Sequence, residues 1–109
     1  MEIEIRVVNG TEALEQALKL RRQVFVHEQK VPVELEYDEY DQIAIHFVAV
    51  RGNNVIGTAR LLSHSQFASR ISRMAVTKNF RGRGIGRRLL EALEKEARKQ
   101  GKVEIVLHA

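Results

Sequence analysis

Several residue types are scarce in this 109-residue sequence, and each scarcity excludes a class of function. Cysteine is absent, which excludes disulfides, thiolate metal sites and a cysteine nucleophile. With two tyrosines, four phenylalanines and no tryptophan, few rings are available to stack on nucleic-acid bases. No apolar run approaches the roughly 20 residues of a membrane span. The N-terminal residues alternate charged and apolar and lack the apolar core of a signal peptide. We therefore expect a cytoplasmic protein.

Length and composition predict a single domain that spans residues 1–109. Apolar residues make up 44% and charged residues 29% of the chain, which are ordinary globular proportions. The net charge is +4, but it is unevenly distributed, with an acidic segment at 34–41 and a basic one at 81–88. We expect a polarised surface and no general attraction to DNA.

Hydrophobic periodicity predicts the order strand, helix, irregular acidic segment, three strands, helix, strand. The predicted strands cover residues 2–8, 43–50, 55–62, 70–76 and 102–107, and the predicted helices cover about 11–26 and 84–100. Asn9 or Thr11 is the expected N-cap of the first helix, and Gly101 is the expected C-cap glycine of the second. The pattern indicates an α/β (α+β) fold in which helices flank a mixed, mainly antiparallel five-stranded sheet.

Residues 74–90 are the most informative stretch, because an apolar strand end leads through an Arg/Gly turn into an amphipathic helix. Glycines at 82, 84 and 86 remove the Cβ atoms that would keep a ligand from the backbone. The helix N-terminus adds unpaired N–H groups and partial positive charge. Full charges come from Arg81, Arg83, Arg87 and Arg88. The stretch predicts a site for a phosphorylated cofactor. No Lys-Ser/Thr pair follows the glycines, which excludes a Walker P-loop.

Other side chains suggest roles that the sequence leaves open. His46 lies within a predicted strand, either as a base for an ammonium group or as a structural residue. Glu28 and the carboxylates of the acidic segment either line a pocket that attracts a cationic amine or form a solvated face. These carboxylates are Glu34, Glu36, Asp38, Glu39 and Asp41. Tyr37 and Tyr40 either stack on an acceptor or pin the segment. Histidines 27, 46, 64 and 108 lack zinc-like spacing, so we predict no metal.

The run Arg81-Gly82-Arg83-Gly84-Ile85-Gly86 fits the Arg/Gln-x-x-Gly-x-Gly/Ala signature of the GNAT family of N-acetyltransferases, and it lies between the fourth strand and a long helix. The chain resembles the small bacterial branch of YjcF-like and ElaA-like proteins in further stretches. These are residues 22–29 with Val31-Pro32, Asp38 and Asp41, His46, and residues 57–61. The resemblance covers essentially the whole chain. It implies a GNAT-like sheet and the transfer of an acetyl group from acetyl-CoA to a primary amine by direct attack in a ternary complex.

The resemblance also implies which residues bind the cofactor. The pyrophosphate is expected on backbone N–H groups between Arg81 and Arg87, and the pantetheine arm beside Met74, Ala75 and Val76. An N–H at Ala75 or Val76 is expected to polarise the acetyl carbonyl. The complete implied set is Met74, Ala75, Val76, Arg81, Gly82, Arg83, Gly84, Ile85, Gly86 and Arg87. His46, Glu28 and the Ala75 backbone N–H are the catalytic candidates.

Two departures from the family pattern leave alternatives open. Ser72 stands where related sequences often carry a basic carboxylate, and the sequence stops before the C-terminal helix with its tyrosine and two further strands. A CoA-binding or interaction module without turnover is therefore a second hypothesis. A small nucleic-acid binder is a third, and its affinity should fall steeply with salt. The expected partner is a small-molecule or peptide amine, with no nucleic acid and no membrane.

An exposed edge of the fifth strand also predicts a possible homodimer, because unpaired strand edges favour pairing with another copy. A monomer by light scattering at micromolar concentration would count against it.

Overall fold

The structure, a computed structural model, describes residues 2–107 and contains one five-stranded sheet in the order β1-β2-β3-β4-β5. The strands are β1 (Glu4–Val7), β2 (Ile45–Arg51), β3 (Asn54–Ser63), β4 (Ala68–Val76) and β5 (Glu104–Leu107). The helices are α1 (Thr11–Arg21), α2 (Val33–Glu36) and α3 (Ile85–Lys99), with a π-helical turn at Arg22–Glu28 and 3₁₀ turns at Glu39–Gln42 and Lys78–Phe80. Only β4 and β5 pair in parallel. The predicted element order and fold class are confirmed.

The capping residue predicted for the end of α3 is confirmed, whereas the one predicted for the start of α1 is not. Helix α1 begins at Thr11 with Gly10 as its N-cap and no side-chain cap, so the prediction that Asn9 or Thr11 caps it was wrong. Gly10 has a φ of 100°, which side chains rarely adopt, and this conformation turns the chain into the helix without a capping side chain. At the other end of the fold, Gly101 follows α3 with a φ of 84°, as predicted.

Each face of the sheet packs against one helix. Helix α3 covers one face, where Leu89, Leu93 and Ala97 are fully buried against Phe47 and Leu61. The other face meets α1 and its π-helical continuation. The buried apolar residues on that side are Ala17, Leu20, Val24, Val48, Val50 and Ala75. The two-sided coverage explains why β3 and β4 are buried over most of their length.

Strand β4 contains a bulge that no sequence pattern predicted. Thr58 pairs with Ala75 and Arg60 pairs with Ser72, so β4 holds one residue more than β3 over the same interval. The extra length is absorbed at Arg73, whose φ of 55° is in the left-handed region that favours glycine. Such a bulge re-aims the strand that follows it.

The two halves of β4 differ in how they are paired. Strand β5 pairs with β4 only from Ala68 to Ile71. Within residues 2–107, the half from Ser72 to Val76 therefore has a strand neighbour only on the β3 side. We call the side of this half that faces away from β3 the open side, since no described strand pairs with it.

The outer edges of the described sheet are β1 and β5. Apolar residues next to or on β5 are exposed, among them Val103 at 85% and Leu107 at 64%. The dimer hypothesis stays a prediction. Among the described residues, no helix has both the length and the apolarity to cross a membrane.

The packing of α3 on the sheet yields a stability prediction at Gly57. A Cβ there would lie 3.2 Å from Leu89 Cδ1 and 3.3 Å from Ile85 Cγ2. Gly57→Val should therefore lower the free energy of unfolding by about 1–3 kcal/mol through overpacking. Gly86→Ala is the control, because its Cβ would make an ordinary 3.6 Å contact with Met74 Sδ. Urea denaturation measures both variants, and an unchanged midpoint for Gly57→Val would show that α3 does not pack as described.

Candidate active site

The Arg/Gly signature forms the loop that leads into α3. Gly84 is the N-cap of the helix with a φ of 79°, and Gly82 has a φ of 76°. An added Cβ at either glycine would meet no atom within 4 Å, so the space in front of the loop is open. The first intrahelical bond runs from Arg88 N to Gly84 O, which leaves the preceding N–H groups of the helix for a ligand. The loop has the geometry expected of an anion site.

Strand β4 directs the polar groups of Val76 away from β3. Thr77 N donates to Ile56 O at 2.9 Å, and backbone groups alternate in direction along an antiparallel strand. Val76 O accepts a hydrogen bond of 2.9 Å from Arg81 Nε, on the side away from β3. By the same alternation, Ala75 forms a hydrogen-bonded pair with Thr58. The backbone N–H that faces the open side is therefore that of Val76.

Arg81 and Glu28 tie the signature loop to the end of the π-helical turn. Arg81 Nη2 lies 2.9 Å from Glu28 Oε2, while Arg81 Nε holds the Val76 carbonyl. The structure thus brings Glu28 beside the signature loop, where its carboxylate is paired.

The remaining signature residues face different surroundings. The guanidinium of Arg83 lies 5.4 Å from the centre of the Phe80 ring. Arg88 donates to Ile3 O at 2.7 Å and so points toward the N-terminal strand. Exposed Arg87 lies 3.7 Å from Glu91, one helical turn on. The Ile85 side chain is buried in the core under α3, so only its backbone can face a ligand.

His46 lies apart from the signature loop. It pairs with Arg60 of β3, which in turn pairs with Ser72 of β4, so two strand spacings, or about 10 Å, separate it from β4. The ring is buried, and Nε2 lies 2.9 Å from Asp41 O. Because a carbonyl only accepts, Nε2 carries the hydrogen. The histidine has the contacts of a structural residue.

The acidic segment is a solvated face only in part, because several of its carboxylates lie in the interior. Glu36 and Asp41 are almost fully buried, and both bind Arg21, at 2.7 Å (Nε to Oε1) and 2.6 Å (Nη1 to Oδ1). Arg60 Nη1 binds Asp38 Oδ1 at 2.7 Å and Asp41 Oδ1 at 3.1 Å. We call these five residues, with Arg73, the ion-pair cluster. Of the carboxylates at 34–41, only Glu34 and Glu39 are exposed.

Charge within the cluster shifts the pKa values of its members. Burial opposes ionisation of Asp41, but the hydrogen bond and charge of Arg21, with a contribution from Arg60, outweigh it and hold the pKa of the carboxyl below its ordinary value. Burial likewise opposes the charge on Arg21, yet Asp41 and Glu36 raise the pKa of that guanidinium. Asp41 and Arg21 therefore stabilise each other in their charged forms.

Arg73 joins the bulge of β4 to the acidic segment. Its Nε donates to Glu36 O at 3.1 Å, and its Nη2 donates to Leu35 O and Asp38 Oδ2, both at 3.2 Å. Burial, followed by the charge of Arg60, lowers the pKa of the Arg73 guanidinium. Sequence reasoning noted Ser72 beside it and missed Arg73, because a left-handed backbone leaves no mark on a residue that is not glycine. Ser72 Oγ itself accepts from Arg60 Nε at 3.1 Å.

Other predicted residues are spread over the surface. Tyr37 and Tyr40 are exposed, and Arg70 lies 6.0 Å from the Tyr40 ring centre. Within residues 2–107, no group of three or more histidine, aspartate or glutamate side chains is placed to hold a metal ion. His108 lies outside the described residues.

Comparison with known proteins agrees with this geometry. The family model described as the acetyltransferase (GNAT) family matches residues 11–109, which include α1, the bulge and the signature loop. The chain belongs to the GNAT family. It is therefore an acyltransferase, and its reaction is the transfer of an acyl group from acetyl-CoA to an amine.

Similar proteins support the assignment over nearly the whole chain. The uncharacterised N-acetyltransferase YjcF of Bacillus subtilis strain 168 is 33% identical over 103 residues, 94% of this chain and 73% of that protein. The crystal structure of a candidate N-acetyltransferase from Lactobacillus plantarum superimposes with a TM-score of 0.88 at 29% identity, over 98% of this chain and 75% of the other. Escherichia coli ElaA gives 0.85 at 25% identity, over 99% and 78%. The resemblance noted in the sequence is confirmed.

The ion-pair cluster yields a prediction for Asp41→Asn. The variant removes one of the two carboxylates that bind Arg60 and one of the two that bind Arg21, so it should cost about 3 kcal/mol of unfolding free energy at pH 7. The folded pKa of Asp41 is lowered, so its stabilisation is complete above the unfolded value of about 3.9 and is lost as the pH falls through the folded pKa. Denaturation at pH 7 and below pH 3 should show the difference from the unsubstituted chain shrinking with acid. Equal differences at both pH values would contradict the pairing.

Proposed function

We propose that this chain transfers the acetyl group of acetyl-CoA to a primary amine by direct attack in a ternary complex on the open side of β4. The observation that carries the proposal is the direction of the Val76 backbone. Its carbonyl is held from the open side by Arg81, and its N–H points to the same side as the glycine loop at the start of α3. One ligand with an anionic end and an extended, amide-containing arm fits both features.

The donor fits the residues present in two places. The pyrophosphate accepts hydrogen bonds from the loop between Arg81 and Arg87, where Gly84 keeps the approach open. The pantetheine arm lies along Met74, Ala75 and Val76 in place of a further strand. Of the two N–H groups that the sequence suggested for the acyl oxygen, Ala75 faces Thr58, so we assign the role to Val76.

In the reaction, the amine nitrogen bonds to the acyl carbon, the carbon–sulfur bond breaks, and CoA leaves as the thiol. The ammonium proton must be lost before attack. Ser72 is not a base and is bonded to Arg60, while Glu28 is paired with Arg81 and His46 lies two strands away. We propose that the acceptor enters as the free amine, that Glu28 orients Arg81, and that solvent carries the proton.

A CoA-binding module without turnover is the second candidate. It is favoured by the same observation, that the Ser72 hydroxyl, the Glu28 carboxylate and the His46 Nε2 are already engaged. Release of thiol from acetyl-CoA in the presence of an amine separates the two, because a module binds the donor and releases none.

Gly84→Val tests the donor site. The side chain would project into the open space before the loop and also strain a left-handed residue, so affinity for acetyl-CoA by calorimetry should fall about a hundredfold or more. Gly101→Val is the matched control, since its φ of 84° imposes the same strain at the far end of α3. It should bind acetyl-CoA normally. Equal affinities for the two variants would show that the loop does not bind the donor.

The pH dependence of kcat/KM tests whether the acceptor reacts as the free amine, without a base on the enzyme. Without an enzyme base, kcat/KM should rise with pH to the pKa of the acceptor, about 8 for an α-amine and about 10.4 for an alkylamine. Leucinamide and 3-methylbutylamine differ mainly in the pKa of the amine and in the presence of one amide group. The inflection should move between them by about two pH units. An inflection that stays fixed for both amines would indicate a base on the enzyme.

A further inference from the structure

A cavity of about 220 Å³ lies between the end of the π-helical turn, α2 and the bulge of β4. It is lined by Phe25, Gln29, Val31, Leu35, Glu36 and Arg73. Phe25 also packs near Ala75, so the cavity adjoins the strand segment assigned to the donor. Its walls are mainly apolar, and its volume is below the roughly 300–1,000 Å³ of pockets for drug-sized ligands. It can hold one small group.

The two charged residues that line this cavity, Glu36 and Arg73, have opposite signs, and the ion-pair cluster to which they belong is balanced as well. The three buried or half-buried carboxylates of the ion-pair cluster are matched by the three guanidinium groups of Arg21, Arg60 and Arg73. A polycationic acceptor such as a polyamine therefore meets no net negative charge inside the cavity. The acidic composition of residues 34–41 by itself predicts a negatively charged pocket, because it does not show the arginines that pair with these carboxylates in the fold.

Arg73 supplies the polar end of the cavity. Its Nε and Nη2 are used to hold the acidic segment, whereas Nη1 has no hydrogen-bond partner among residues 2–107. The Arg73 side chain is 20% exposed, and Nη1 is not one of the buried side-chain atoms without a partner in the described residues, so a ligand can reach it. A half-buried N–H group gains most from an oxygen acceptor, such as a carbonyl or a carboxylate.

We infer that this cavity selects a small α-amino compound, an amine with an adjacent carbonyl or carboxylate and a short apolar side chain. The inference rests on the proposed function and names its acceptor class. The apolar walls hold the side chain, and Arg73 Nη1 holds the oxygen. An α-amine beside a neutral carbonyl has an ordinary pKa of about 7.7–8.0, so much of it is uncharged near pH 8 without a catalytic base. Acylation joins its nitrogen to the acetyl carbon, and one proton passes through solvent to the thiolate of CoA.

The first experiment measures binding, so that it does not depend on turnover. Leucinamide, leucine, 3-methylbutylamine and spermidine are titrated calorimetrically into the chain saturated with desulfo-CoA. Leucinamide or leucine should bind at least about tenfold tighter than 3-methylbutylamine, which lacks the oxygen. Spermidine should bind more weakly still. The ratio of leucine to leucinamide distinguishes a carboxylate acceptor from a neutral carbonyl.

Two exposed residues of α2 provide a matched pair of variants. Leu35 lines the cavity and Val33 does not, and they are 63% and 56% exposed, so neither substitution should disturb the core. Leu35→Lys should weaken leucinamide binding about tenfold, and Val33→Lys should leave it unchanged. Arg73→Lys should reduce the preference for leucinamide over 3-methylbutylamine, with thermal melting as the check on the fold.

The outcomes separate this inference from the proposed function. Spermidine binding as tightly as leucinamide, equal effects of Leu35→Lys and Val33→Lys, or no amine binding to the desulfo-CoA complex would each overturn the acceptor assignment. Failure to bind acetyl-CoA would instead overturn the donor site. Thiol release with amines that do not bind in the cavity would leave the proposed function intact and refute the inference alone.

Discussion

The ion pairs between three arginines and three carboxylates constrain the whole α1 face of the sheet. Arg21 from α1 and Arg60 from β3 meet Glu36, Asp38 and Asp41, so a segment with little regular structure is fixed to both a helix and a strand. Burying such charges is costly, and the cost is offset only because each group has a partner at close range. Removing one partner leaves the other charge buried without compensation, and the cost of its burial then lowers stability. The acidic segment therefore has its shape because of residues distant in sequence.

The same cluster reaches the bulge of β4 through Arg73. A left-handed arginine is strained by itself, and the three hydrogen bonds of its guanidinium to residues 35–38 favour that conformation. The bulge lies between the part of β4 that pairs with β5 and the part that is open on that side. Backbone strain, the cavity wall and the open strand segment thus depend on one side chain.

Membership in the GNAT family accounts for the glycine loop, the open half of β4 and the acyl-transfer reaction. The proposals go further by assigning the acyl oxygen to Val76 N–H and the acceptor to the cavity beside Arg73. Both assignments follow from the orientation of polar groups, the backbone of Val76 in the first case and the guanidinium of Arg73 in the second. The donor site depends on backbone geometry, whereas acceptor choice depends on side chains that differ from one member of a family to another.

The sequence by itself determined the element order, the fold class, the glycine loop and the family, because periodicity and the spacing of Arg81 to Gly86 are local properties of the chain. It did not show that Glu36 and Asp41 are buried, since their partners Arg21 and Arg60 are 15 and 19 residues away. Nor did it show the bulge at Arg73, because a positive φ on arginine is stabilised only by contacts made after folding. Tertiary structure alone decided which charges are neutralised, because the ion pairs join residues that only folding brings together.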